Sequence, residues 1–121
     1  MLHLCCRGGK SNLQRLSVLN WAVGSSENRS RFLDVVRGDR RPEDIIVRHD
    51  PAFSRALDFA IGEKLVERVP GSKFSLKERG KSAAEAILRM EPCLDLEKDF
   101  FKRLSRGVSE AMIDRLLRFG R

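Results

Sequence analysis

The stretch DPAFSRALDFAIGEKLVERVPGSKFSLKERGKSAAEAI, residues 50–87, reads as a helix, a tight basic hairpin and a second helix. Asp50 is a good N-cap, and Pro51 stands at the first helical position, where its missing N–H costs nothing. Phe53, Leu57, Ala60 and Ile61 then recur at helical spacing. Gly62 loosens the end of that helix. Leu65, Val66 and Val69 suit a short strand, Pro70-Gly71-Ser72-Lys73 a turn, and Phe74-Ser75-Leu76 a returning strand. A helix, a two-stranded wing and a closing helix form the second half of a winged helix-turn-helix. Such a fold narrows function to binding nucleic acid, protein or both.

Working outward, the preceding residues supply the remaining parts. Ser11 or Asn12 can cap a helix running to about Val23 whose residues are nearly all apolar, so it is expected to be buried on most faces. Trp21 sits in it as a core residue or, if exposed, a partner anchor. After Gly24-Ser25-Ser26 a short amphipathic helix covers about 28–37, with Phe32, Leu33, Val35 and Val36 inward and Gly38 as its stop. Ile45, Ile46 and Val47 are expected to form the small strand that pairs with the wing. Beyond the wing, a helix from Lys81 to about Met90 is broken by Glu91-Pro92. Two amphipathic tail helices follow, with stripes at Leu96, Phe100 and Leu104 and at Met112, Ile113, Leu116 and Leu117. The expected class is mainly α with a small β-wing (α+β): a winged-helix domain over 1–90 and a C-terminal helical extension over 91–121. That extension either folds back on the N-terminal helix or docks a partner.

The chain has 121 residues, 41% hydrophobic and 34% charged, enough for one core without metal or disulfide support. Its net charge is +7 and its pI about 9.9, which suits either an acidic partner such as DNA or simple solubility. Cys5, Cys6 and Cys93 lack metal-site spacing and read as buried free thiols in a reducing cytoplasm. No stretch approaches a membrane span, and the opening MLHLCC is too short for a signal peptide. Arg7-Gly8-Gly9-Lys10-Ser11 lacks the first glycine and the spacing of a phosphate-binding loop. With no tyrosine and only His3 and His49, the chain is poorly supplied for acid–base work. The expectation is a non-enzyme that needs no cofactor.

Candidate nucleic-acid contacts are Arg48 and Arg55, before and on the third helix, and Arg68, Lys73 and Lys77 on the wing. Asp58 and Glu63 lie on or beside the same helix face and oppose phosphate binding. A second basic candidate is the loop carrying Arg37, Arg40 and Arg41. Candidate partner contacts are Trp21, Phe100, Phe101 and Leu116.

Leu2-His3-Leu4-Cys5-Cys6-Arg7-Gly8-Gly9-Lys10 leads into Arg15-Leu16-Ser17-Val18-Leu19-Asn20-Trp21-Ala22. The wing closes with Phe74-Ser75-Leu76-Lys77-Glu78-Arg79-Gly80, and the tail carries Phe100-Phe101 followed by Ser109-Glu110. Over nearly the whole chain this order resembles the small middle components of bacterial ABC-three-component systems, which include the Lamassu-type anti-phage and anti-plasmid operons. The resemblance implies a non-catalytic cytoplasmic adaptor between an SMC-like coiled-coil ATPase and an effector, often a nuclease, with DNA nearby. It also implies more chain before Leu2, so that the first helix would be incomplete. A winged-helix transcription regulator is the alternative reading, and an inhibitor of one partner enzyme a weaker third.

Overall fold

The computed structural model describes residues 1–48, 50–90 and 94–104, together with positions 112, 113, 115 and 116. These form a mainly helical α+β structure with one small antiparallel sheet. A single turn, α1 (Leu2–Cys5), is followed by a tight turn in which Gly8 and Gly9 both take positive φ, 64° and 69°. Glycine adopts that geometry without strain, and the reversal delivers β1 (Lys10–Asn12) to the sheet.

Asn12 closes β1 and caps α2 (Leu13–Val23), its side-chain oxygen accepting from the Arg15 N–H at 2.9 Å. Leu16, Val18, Leu19 and Ala22 of α2 are buried. Ser25 caps α3 (Ser26–Arg37) by accepting from the Asn28 N–H, and Gly38 ends it at φ 84°. Its N–H and that of Asp39 return to the carbonyls of Val35 and Asp34, satisfying the last turn. Phe32 and Val35 carry α3 into the core.

After a 3₁₀ turn at Pro42–Asp44, Ile45 and Val47 point inward and Ile46 outward. That alternation belongs to extended backbone, yet the segment joins no sheet. The expected third strand at Ile45–Val47 is therefore corrected: Lys10–Asn12 fills the place. Periodicity of two identifies an extended segment but not its neighbour. Here the apolar core takes Ile45 and Val47 while β1 takes the free edge of the hairpin.

Asp50 and Pro51 start α4 (Pro51–Gly62), with Asp50 Oδ1 accepting from the Ala52 N–H at 3.0 Å. Its Oδ2 accepts from the Asn20 side-chain amide, tying the start of α4 to α2. The helix runs through Gly62, and the left-handed residue that follows is Lys64, at φ 61°. Strand β2 (Val66–Val69) turns through Gly71 and Ser72, both at positive φ, into β3 (Lys73–Leu76). The sheet order is β1-β3-β2, all antiparallel, with Ser11 opposite Phe74 and Arg68 opposite Phe74 across the other edge.

Helix α5 (Glu78–Arg89) begins three residues earlier than its apolar pattern implies. Its start is fixed by the Lys77 N–H donating to the Leu65 carbonyl at 2.9 Å and by the close approach of Gly80 to the same carbonyl. Helix α6 (Asp95–Leu104) packs on α1 and α3. The Phe100 ring meets Phe32 edge-on at 6.4 Å and Phe101 at 5.7 Å, and the Cys5 thiol donates to the Phe101 carbonyl. Lys98 is buried, and its ammonium donates to the Met90 carbonyl at 2.6 Å, capping α5. Ile113 and Leu116 also enter the core, and Arg115 donates to Glu43 at 2.8 Å. No helix among the described residues is long and apolar enough to cross a membrane.

Candidate nucleic-acid and partner interface

The hairpin and α4 share one polar face, and its electrostatics follow from how the charges pair. Arg68 lies over the ring of its cross-strand partner Phe74, 5.2 Å from the centroid. Its guanidinium also reaches Asp58 of α4 at 3.7 Å. Lys77 faces Glu67 at 3.9 Å, and Arg79 faces Glu63 at 3.8 Å, linking α5 to the end of α4. All three pairs are largely solvent-exposed, so each adds little stability. Their effect is on the field: each cation has a carboxylate beside it.

Arg48, Arg55 and Lys73 are exposed and form no ion pair among the described residues. The five candidate phosphate ligands thus divide into two groups. Arg68 and Lys77 are partnered, whereas Arg48, Arg55 and Lys73 are open. His49, expected beside Arg48, lies outside the described residues.

The four candidate partner anchors all pack against this chain's own core. Trp21 is half-buried against the core, and its carbonyl accepts from the Asn28 side-chain amide at 3.1 Å. Phe100, Phe101 and Leu116 are buried in this chain's own core. Helix α6 packs on α1 and α3, so Phe100 and Phe101 serve this chain's own core, as Leu116 does. The exposed large apolar residues are others. Phe59 is 67% exposed on α4, Leu96 is 66% exposed on α6, and Ile46 and Met90 are also open. Phe59 stands off the Phe53, Leu57, Ala60 stripe, and an off-stripe aromatic was the available signal. Leu96 lies on its helix's apolar stripe, so periodicity gave no warning.

Helix α4 buries no residue completely, and α5 buries only Gly80. Between them and α1 runs an apolar groove of about 320 Å³, lined by Phe53, Leu57, Ala60, Ala84 and Ile87. A second cavity of about 320 Å³ lies along the seam of α3 and α6 and carries Arg29, Arg37 and Arg103.

The chemistry of the buried thiols is quiet. Burial pushes the Cys5 thiol up to about 12 and raises Cys6, against the opposing pull of the Ser11 hydrogen bond and Arg15. Both remain protonated and weakly nucleophilic at neutral pH. Cys93 lies outside the described residues. Among the described residues no three His, Cys, Asp or Glu side chains gather as a metal site. Comparison of the chain with family models, with curated proteins and with solved structures returns no match.

Proposed function

We propose that this chain is a non-catalytic winged-helix adaptor. It would link an SMC-like coiled-coil ATPase to an effector, such as a nuclease, in a cytoplasmic bacterial defence complex of the Lamassu type. The sequence resemblance supplies the identity of that assembly. The β1-β3-β2 sheet order, with α4 before the hairpin and α5 after it, is compatible with a winged helix.

The observation that carries the docking role is the outer face of α4. In a sequence-specific reader this helix presents unopposed donors to base edges. Here Ala52, Ala56 and Phe59 are exposed on it, while Asp58 engages Arg68 and Glu63 engages Arg79. Exposed apolar side chains beside paired charges, with Arg55 left open, favour a protein partner over specific base readout. DNA contact in this reading is nonspecific and rests on Lys73, with Arg48 and Arg55, rather than on the partnered Arg68 and Lys77.

Co-expression with the ATPase and effector genes of the same operon tests the assignment. Stable co-purification that Phe59→Glu disrupts, with weak DNA binding by the isolated chain, is the expected result. Nanomolar, sequence-specific DNA binding by a homodimer of this chain alone would instead make it a transcription regulator.

A further inference from the structure

The seam between α3 and α6 combines an apolar floor with a rim of arginines. Along α3 the lining positions are 26, 29, 30, 33 and 37, and along α6 they are 96, 99, 100 and 103. Both sets follow helical spacing, so the cavity is a groove parallel to two helices. Its α3 wall spans eleven residue steps, roughly 16 Å at the α-helical rise, enough to seat about three turns of a third helix.

The floor and the rim differ in chemistry. Leu33 and Phe100 form an apolar floor, and Leu96 stands on the edge, mostly exposed. Three guanidinium groups surround them. Arg29 is held in place by donating to the Val23 carbonyl at 2.9 Å. Arg103 pairs with Asp99 at 3.0 Å, the one carboxylate in the lining. Arg37 makes no ion pair among the described residues. Three cations against one anion leave the rim positive. The α4–α5 groove, by contrast, carries no Asp, Glu, Lys or Arg in its lining.

We infer that the α3–α6 groove docks an acidic amphipathic helix of a partner protein. Leucine-type side chains of that helix would cover Leu33 and Leu96 above the buried Phe100, and its carboxylates would meet Arg29 and Arg37. Guanidinium forks match carboxylates in two-point geometry. Charge complementarity decides the class of occupant. A phosphate backbone has no apolar face to set against Leu33 and Leu96. A second copy of this chain, at net charge +7, is repelled by the same rim that attracts an acidic helix. The groove is separate from the α4 face, and its chemistry does not depend on which protein supplies the helix.

The test uses the full chain and a display library of random 14-residue peptides, selected at low ionic strength. Recovered peptides are expected to carry Glu or Asp beside Leu, Ile or Phe at helical spacing. Their affinity, read by fluorescence anisotropy, should fall about tenfold or more in Arg37→Glu and in Leu96→Glu, with unchanged far-UV circular dichroism. Both substitutions are at exposed positions, so folding is retained. Higher salt should weaken binding in the same direction. Recovery of peptides without acidic residues, or affinities indifferent to both substitutions, overturns the inference. So does a 20-base-pair DNA duplex whose binding depends on Arg37 and Leu96 when no acidic peptide is recovered, or a dimer of this chain that both substitutions dissociate. If acidic peptides bind here while the operon ATPase does not co-purify, the groove stands and the adaptor assignment falls.

Discussion

Replacing Gly80 by alanine tests whether α5 closes on the hairpin as described. A β-carbon there would lie 2.1 Å from the Leu65 carbonyl oxygen, 3.0 Å from its carbon and 2.8 Å from Leu76 Cδ1. Leu76 can rotate away, but the Leu65 peptide cannot. Its carbonyl accepts from the Lys77 N–H at 2.9 Å, and its own N–H donates to the Ala60 carbonyl at 2.9 Å. To restore contact distance, the first turn of α5 must retreat by about 1.4 Å, given normal contacts of about 3.5 Å. Overpacking of this kind costs about 1–3 kcal/mol, and weakening the Lys77 hydrogen bond costs about 1 kcal/mol more. The gain from alanine's helix propensity returns at most about 1 kcal/mol. The net loss is about 1–3 kcal/mol, or a Tm drop of about 4–12 °C for a chain of this size. Urea titration followed by Trp21 fluorescence, the single tryptophan, measures it directly. Gly62→Ala is the control: it lies in α4 at ordinary φ with nothing within 4 Å of a new β-carbon. The same chemical change there should raise stability by about 0.5–1 kcal/mol. A Gly80→Ala protein as stable as the parent, or shifted with the same sign as Gly62→Ala, would refute the close approach of α5 to the start of β2.

Three further outcomes follow from particular contacts. Lys64 holds φ 61° at the end of α4, so Lys64→Gly should relieve strain and raise the urea midpoint by the equivalent of about 0.5–1 kcal/mol. Lys98→Met keeps the volume but removes the donor to the Met90 carbonyl, and should cost about 1–2 kcal/mol in thermal unfolding, whereas Lys98→Arg should cost less. Glu43 has its carboxyl held below the ordinary value of 4.5, first by a backbone hydrogen bond and then by Arg115. Because its folded-state value is depressed, this contribution is complete above about pH 4.5 and is lost as pH falls through the lower folded-state value. NMR titration of Glu43 should show the depressed midpoint, and Arg115→Gln should move it upward.

The legible parts of this fold are those settled within a few residues. Asn12, Gly38 and Asp50-Pro51 set helix boundaries by bonding to backbone groups two to four positions away, whereas Ser25 starts α3 two residues before its expected position. Pro70-Gly71 marks the hairpin for a similar local reason. The α2 burial pattern and the inward stripe of α3 were also open to reading, because helical period translates directly into a face. The basic candidates were legible as residue types, but not their pairing. Whether Arg68 faces phosphate or Asp58 depends on how α4 lies against the hairpin, which no local spacing encodes.

By itself the sequence determined the starts of α2 and α4, where the hairpin turns, and that the tail is amphipathic. Only the tertiary structure decided that Lys10–Asn12 rather than Ile45–Val47 completes the sheet, and that Phe100, Phe101 and Leu116 are enclosed while Phe59 and Leu96 face outward. The reason is physical. Caps and turns minimise the free energy of a short stretch of backbone. Strand partners and buried faces are chosen by contacts between residues some sixty to a hundred positions apart, such as Ser11 with Phe74 and Cys5 with Phe101. Those contacts exist only once the whole core has closed.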